Sequence, residues 1–288
     1  MKKLMAGLLV SALAVSILSC GSKQAEETPA AEETTEAEET AAETEAEPVT
    51  LNIFAAASMT ETLTEIQEMY KETAPNVTLV FNFDSSGTLK TQIQEGADCD
   101  IFISAAQKQM NQLDKDADPE VNTEGLDFVL EGTRVNLLEN KAVLAVPDGN
   151  PKDIQNFEDL GTDKLSLLAL GNEDVPVGQY STEILTNLGI LDKLEADGKI
   201  TYGSNVKEVT TQVSEAAADA GIIYATDAFS AELTVVDQAG GDLCKQVIYP
   251  AAVLNISENQ EAAKEFLAYL QTDDYMKVFE AVGFTAAE

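Results

Sequence analysis

Residues 49–61 read VTLNIFAAASMTE, and residues 81–87 read FNFDSSG. Each is an apolar, partly alternating run that ends in small residues and a serine. Alternation with β-branched residues is the mark of a strand. Ser58 and Glu61 have the S-x-x-E spacing of a helix capping box. Behind them Leu63, Ile66, Met69 and Tyr70 recur at helical spacing. Ser85-Ser86-Gly87-Thr88 opens a second helix, with Leu89 and Ile93 inward and Gly96 at its end. Residues 100–103 form a third strand and 107–113 a helix. Strand, helix, strand, helix, strand at this spacing predicts a parallel sheet with crossover helices. In such a sheet ligands sit beyond the carboxyl ends of the strands, where the helices begin.

The pattern restarts further on. Strands are expected at residues 142–146, 165–170, 221–224 and 247–254. Helices are expected at 178–188, 206–218, 258–270 and from 273 to 282. Residues 49–288 thus hold two α/β halves, and no short-period repeat occurs.

The chain of 288 residues carries 17 Lys+Arg against 51 Asp+Glu, a net charge of −34. Setting aside Lys2, Lys3, Lys23 and the ten glutamates of residues 21–48 leaves 14 basic and 41 acidic residues in the remainder. Such a surface repels phosphates, so nucleic-acid binding is excluded as a function class. An anionic ligand would have to be attracted locally, against the global field. There is no histidine, which removes Ser-His-Asp and Cys-His catalysis and every His-ligated metal site. Three cysteines without a CxxC pair give no support to a zinc or redox motif. An exported hydrolase with a serine nucleophile would have neither a His partner nor a G-x-S-x-G elbow. No metal site, no cofactor and no catalytic residue is expected.

Lys2 and Lys3 precede an apolar run from Leu4 to Leu18, closed by Ser19-Cys20-Gly21. The run is short for a membrane span and has the layout of a secretory signal. With Cys at the cleavage point it resembles a bacterial lipoprotein signal, which implies lipidation of Cys20. The alternative is an ordinary cleaved signal with an incidental Cys. Residues 21–48 hold almost only Ala, Glu, Thr and Pro. They bury too little apolar surface to offset their ordering entropy and read as a disordered acidic linker. Export permits a disulfide between Cys99 and Cys244, and two buried free thiols are equally compatible with the sequence.

Helix N-termini carry free N–H groups and partial positive charge, so Ser58 and Ser86 stand where an anion would bind. Spacing alone also admits both as simple helix caps. A resemblance decides between these readings. The segments FAAASMTETL (54–63), FDSSGTLKTQIQEGADCDIFISAAQKQM (83–110), DVPVGQY (174–180), AGIIYATDA (220–228) and VGF (282–284) resemble, colinearly, the molybdate-binding proteins of bacterial molybdate ABC importers, the ModA family. The resemblance spans nearly all of 49–288. It implies a two-lobed periplasmic-binding-protein-like fold of type II, each lobe a mostly parallel sheet flanked by helices. Lobe 1 is then 49–140 plus 251–288, lobe 2 is 141–250, and the crossings lie near 139–146 and 247–254. It implies an extracytoplasmic monomer, lipid-anchored at Cys20, that captures molybdate or tungstate and passes it to a membrane permease. A receptor for another tetrahedral oxyanion such as sulfate is the alternative.

Position by position, the resemblance implies hydroxyl and N–H donors at Ser58 and Ser86, backbone N–H donors at Val177 and Val206, and the phenol of Tyr224. The chain departs from the family's usual Ala at Val177, where a backbone donor survives the change, and from its frequent Asp at Ala106, which is no ligand contact. Arg134, the single arginine, is expected in a structural ion pair. Molybdate is a fully deprotonated dianion at neutral pH, so a site made only of donors satisfies it. A protonated phosphate would leave its proton unpaired, at about 1–3 kcal/mol.

Overall fold

The computed structural model describes residues 47–287. The expected signal (1–20), the lipidation of Cys20 and nearly all of the linker (21–48) lie outside them. In chain order the elements are β1 (Val49–Ala56), α1 (Thr60–Thr73), β2 (Val77–Asp84), α2 (Ser86–Gln94), β3 (Ile101–Ile103), α3 (Gln107–Asn111), β4 (Val135–Asn140), β5 (Ala142–Val146), β6 (Leu168–Gly171) and α4 (Pro176–Asn187). There follow α5 (Leu191–Ala196), β7 (Ile200–Gly203), α6 (Val206–Ser214), β8 (Ala220–Tyr224), α7 (Ala225–Ser230), β9 (Thr234–Gln238), β10 (Val247–Val253), α8 (Gln260–Tyr269), α9 (Asp273–Ala281) and β11 (Thr285–Ala286). Short 3₁₀ turns occupy Ala57–Met59 and Phe157–Gly161.

Two sheets result. One has the order β11-β4-β10-β3-β1-β2, the other β7-β6-β8-β5-β9. The parallel order expected from the strand-helix alternation holds in β2-β1-β3 and in β7-β6-β8. The strands next to the crossings add antiparallel neighbours: β10 on β3 and β4, and β5 on β8 and β9. β1 is the inner strand of its parallel trio, and its last four residues, Ile53–Ala56, are buried on both faces. A strand covered on both sides reads as a continuous apolar run, which is why alternation fades into Phe54-Ala-Ala-Ala57.

The chain crosses between sheets at Lys141, the single residue between β4 and β5, and returns through 239–246. The return lies four residues ahead of the expected 250/251 boundary. β10 pairs with β4 and β3 along its whole length, from Val247 to Val253, so it cannot be divided between lobes. Beside the crossings runs a file of edge-on rings. Tyr180 and Tyr224 are 6.5 Å apart, Tyr224 and Tyr249 5.8 Å, and Tyr249 and Phe284 5.2 Å. It joins α4 and β8 of one lobe to β10 and the chain end of the other, and gives the terminal VGF segment its place.

Several elements escape the periodicity: β4, β7, β9, β11, α5 and α7. All but β4 are edge strands or one-and-a-half-turn helices, too short for a period to show. Among the described residues Cys99 and Cys244 are both buried and free. Arg134 bonds Asp114 at 2.6 Å, the expected ion pair.

The lobes meet closely at the start of α2. A Cβ built on Gly87 would lie 2.2 Å from the backbone oxygen of Asp174 in the other lobe. The missing side chain at Gly87 is what lets them approach. Gly87→Ala is therefore expected to hold the lobes apart, disfavouring the closed form by about 1–3 kcal/mol, the usual cost of overpacking. Small-angle scattering should show a larger radius of gyration in the variant, and an unchanged profile would contradict this contact.

Candidate functional site

A cavity with about 10 Å³ of room for the centre of a water-sized sphere lies between the lobes, lined by Ala56, Ala57, Ser58, Asp84, Ser85, Ser86, Ala105, Val175, Pro176, Val206 and Tyr224. That is below the roughly 300–1,000 Å³ of sites for metabolite-sized ligands, and suits a small ion. Most of the lining comes from four places where a strand hands over to a helix: β1 into the 3₁₀ turn, β2 into α2, the loop after β6 into α4, and the loop after β7 into α6; Ala105, after β3, and Tyr224, the last residue of β8, complete it. Each start offers N–H groups with no partner inside the helix.

Of the five ligand residues implied by the resemblance, Ser58, Ser86, Val206 and Tyr224 line this cavity. Val177 does not touch it directly. It is the second residue of α4, fully buried, and follows the lining residues Val175 and Pro176 in the chain. Pro176 opens α4 and has no N–H to offer, so the first amide of that helix is the one at Val177.

The capping box expected at Ser58 and Glu61 does not form. Ser58 sits inside the 3₁₀ turn, α1 begins at Thr60 without a side-chain cap, and the Ser58 hydroxyl instead meets Tyr249 Oη at 2.8 Å. At α2 the cap is Ser85, whose Oγ accepts the Thr88 N–H at 3.1 Å. Ser86 is thereby released from capping, and its Oγ accepts the Ala105 N–H at 2.9 Å. Neither serine named as an anion donor caps a helix with its hydroxyl.

The Tyr224 hydroxyl is buried against the cavity and has no hydrogen-bond partner among the described residues. A buried polar group without a partner costs about 1–3 kcal/mol. Burial raises the phenol well above its ordinary value, and the neighbouring phenols Tyr249 and Tyr180 and the carboxylate of Asp227 push the same way. Tyr224 is therefore a neutral donor at any physiological pH. Asp84 is the one carboxylate among the lining residues. It opposes an anion, and its Oδ1 is taken up by the Ser85 N–H at 2.7 Å and by Asn205 Nδ2 at 3.4 Å.

Sequence reading missed a charged clasp beside the cavity. Lys207 follows Val206 on α6, and its ammonium donates to both carboxylate oxygens of Glu61 on α1, each at 2.8 Å. It also lies 3.1 Å from Asp227 Oδ1, on α7, too oblique for a directed hydrogen bond. Glu61 belongs to one lobe, Lys207 and Asp227 to the other, so the clasp spans the cleft. Burial pulls the Lys207 ammonium down, but Asp227 and Glu61 outweigh it and the net shift is upward. Asp227 is pushed up to about 6 by burial, with Lys207 pulling down and Glu61 pushing up.

Two lobes meeting over a small cavity whose polar lining is neutral except for Asp84 have the arrangement of a solute receptor, a class whose chemistry is capture. The comparisons agree. The model of the bacterial extracellular solute-binding protein family matches residues 51–285, and the chain belongs to that family. It is 38% identical over 240 residues to a Bacillus subtilis chain named as an ABC transporter substrate-binding lipoprotein, covering 83% of this chain and 87% of the relative. It is 35% identical over 241 residues to the molybdate-binding protein of Haemophilus influenzae, covering 82% and 90%. The fold matches the periplasmic molybdate-binding protein of Azotobacter vinelandii with a TM-score of 0.72, at 23% identity over 83% of this chain and all of that one. Within its family the chain is a substrate-binding protein of the molybdate-importer type, a transport component and not an enzyme.

The buried carboxylate makes stability depend on pH in a definite direction. Folded Asp227 binds its proton near pH 6, unfolded Asp near 4. Its contribution is therefore fully present below the unfolded value and is lost as pH rises through 6. Between pH 7.5 and 4.5 the wild type should gain about 2 kcal/mol relative to Asp227→Asn. Urea unfolding of both at the two pH values measures this; a constant difference would refute it.

Proposed function

We propose that this protein captures molybdate, and tungstate with it, outside the cytoplasmic membrane, and delivers the ion to the membrane permease of an ABC importer. The observation that carries this reading is the Tyr224 hydroxyl, buried and without a partner among the described residues, at the wall of a cavity whose other polar side chains are Ser58, Ser85, Ser86 and Asp84. The ligand set is Ser58 and Ser86 through hydroxyl and N–H, Val177 and Val206 through N–H, and Tyr224 through its phenol. Each is uncharged. An oxyanion without protons accepts from all of them, in charge-assisted bonds of about 1.5–3 kcal/mol each.

The moving units are the two lobes, 49–140 with 247–287 and 141–246. The ion touches both, so it favours the closed arrangement by its differential contacts. The relatives named for molybdate and for a lipoprotein support the ligand and the anchor. On this reading Cys20 carries lipid, residues 21–48 tether the domain to the membrane, and the protein works as a monomer. As a flexible coil the tether reaches roughly 30 Å, from about 5–6 Å × √n.

Thermal unfolding of residues 47–288, freed of ligand, tests the ion. At 100 times the dissociation constant a ligand adds about 2.7 kcal/mol, which for this size raises Tm by roughly 5–10 °C. Molybdate and tungstate are expected to give that shift, and sulfate and phosphate none. A shift with sulfate alone would keep the receptor and change its ion. The double variant Ser58→Ala, Ser86→Ala should weaken molybdate at least about tenfold in calorimetry, the loss of roughly 1.4 kcal/mol; unchanged affinity would remove both residues from the site.

A further inference from the structure

The hydroxyl of Ser58 is not free to choose between donating and accepting. The chain of bonds that settles it starts at Asn140, the last residue of β4, where the polypeptide leaves its first sheet. Asn140 Oδ1 accepts the backbone N–H of Lys141 at 2.8 Å. That leaves the amide nitrogen as the face turned inward, and Nδ2 donates to Thr226 Oγ1 at 2.9 Å and to Tyr249 Oη at 3.2 Å. Tyr249 is fully buried and has one proton to give. It accepts from Asn140, lies 2.8 Å from Ser58 Oγ, and makes no directed bond to the neighbouring Tyr224 hydroxyl. The phenol proton therefore goes to Ser58. With its oxygen already accepting, Ser58 has the cavity as the outlet for its own proton. Ser86 is held the same way, by the main-chain N–H of Ala105.

We propose that Tyr249, oriented by Asn140, is a positioning residue that fixes Ser58 as a hydrogen-bond donor and so makes the cavity select oxyanions that carry no proton. The inference rests on the reading of this cavity as an oxyanion site. It deepens that reading by assigning the selectivity to two residues that do not line the cavity. A serine hydroxyl by itself donates or accepts with equal ease. In a cavity with an unconstrained Ser58, hydrogenphosphate would place its P–OH proton on Ser58 Oγ and lose little. With Tyr249 donating to that oxygen, one of its two lone pairs is taken and its own proton is turned toward the ligand, so a P–OH group meets a poorer acceptor than a free serine would be. Burial keeps the Tyr249 phenol protonated, and the carboxylate of Asp227 reinforces it. The contacts with Ser58 and Asn140 pull the other way but do not reverse the shift.

The test is calorimetry with molybdate and with inorganic phosphate at pH 7 on the wild type, Tyr249→Phe, Ser58→Ala and the double variant. Tyr249→Phe is expected to weaken molybdate about three- to tenfold, as the loss of one oriented hydrogen bond predicts. It should also lower the molybdate-to-phosphate affinity ratio by at least about fivefold. In the Ser58→Ala background the same change should have little further effect, because the residue through which Tyr249 acts is gone. Asn140→Asp keeps the tyrosine but turns the inward donor into an acceptor. The Tyr249 proton then goes to residue 140, and the ratio should fall as it does in Tyr249→Phe. That variant also serves if Tyr249→Phe fails to fold. Equal losses from Tyr249→Phe in the wild-type and Ser58→Ala backgrounds, with the ratio unchanged, would show Tyr249 to be structural only and overturn the inference while leaving the oxyanion site intact. Failure of the wild type to bind any oxyanion would overturn the functional reading and the inference with it.

Discussion

Four chain segments begin at the same small cavity, and the free N–H groups of those beginnings are what the rest of the molecule is built around. A helix start cannot satisfy its own first amides. Gathering four such starts in one place, away from water, is costly unless something accepts from them. The parallel trios β2-β1-β3 and β7-β6-β8 deliver the starts to the same edge of each sheet. The crossings at Lys141 and 239–246 turn the two edges toward each other. The small residues Ala55, Ala56, Ala57 and Gly87 let the backbones come close. An anion is the natural resident of such a place, and it needs no positive side chain to be held there. This is how a chain with three times as many acidic as basic residues accommodates a negative ligand: the attraction is supplied by fixed dipoles at contact range and not by net charge.

The two lobes are also joined by ordinary side chains, and these work differently from the cavity. The Lys207 to Glu61 clasp is exposed enough that its own contribution to stability is small. Its partner Asp227 is fully buried, and both its oxygens lack a directed bond. A partly satisfied buried carboxylate weakens the resting protein. Such sites persist where function uses them, and here the group stands within the same helix-start region as Val206 and Tyr224.

Much of this was legible before the structure, though unevenly. The strand endings at Ser58 and Ser86 were readable because an apolar run followed by small residues and a polar start is local information. So was the parallel order around them. What the local pattern mistook was the use of the hydroxyls. S-x-x-E at Ser58 reads as a cap, yet the bond Ser58 makes is to Tyr249, 191 residues away. Tyr249 itself sits in a strand whose composition announces only a core position. Lys207 and Glu61 are 146 residues apart, each on a helix face that reads as solvated. Polar pairings of this range leave no period or spacing in the chain. Of the five positions the resemblance implied, Ser58, Ser86, Val206 and Tyr224 line the cavity and Val177 is the residue next to the lining Pro176.

The file of rings from Tyr180 through Tyr224 and Tyr249 to Phe284 has one more consequence. The chain contains seven tyrosines and no tryptophan, so its ultraviolet emission is tyrosine emission, undimmed by transfer to an indole. Three of those seven stand in a row across the crossings, with their edge-to-face spacing set by how the lobes lie. Any motion of one lobe against the other changes the surroundings of these three phenols first. The protein thus carries its own optical gauge of closure, readable without a label or an added residue.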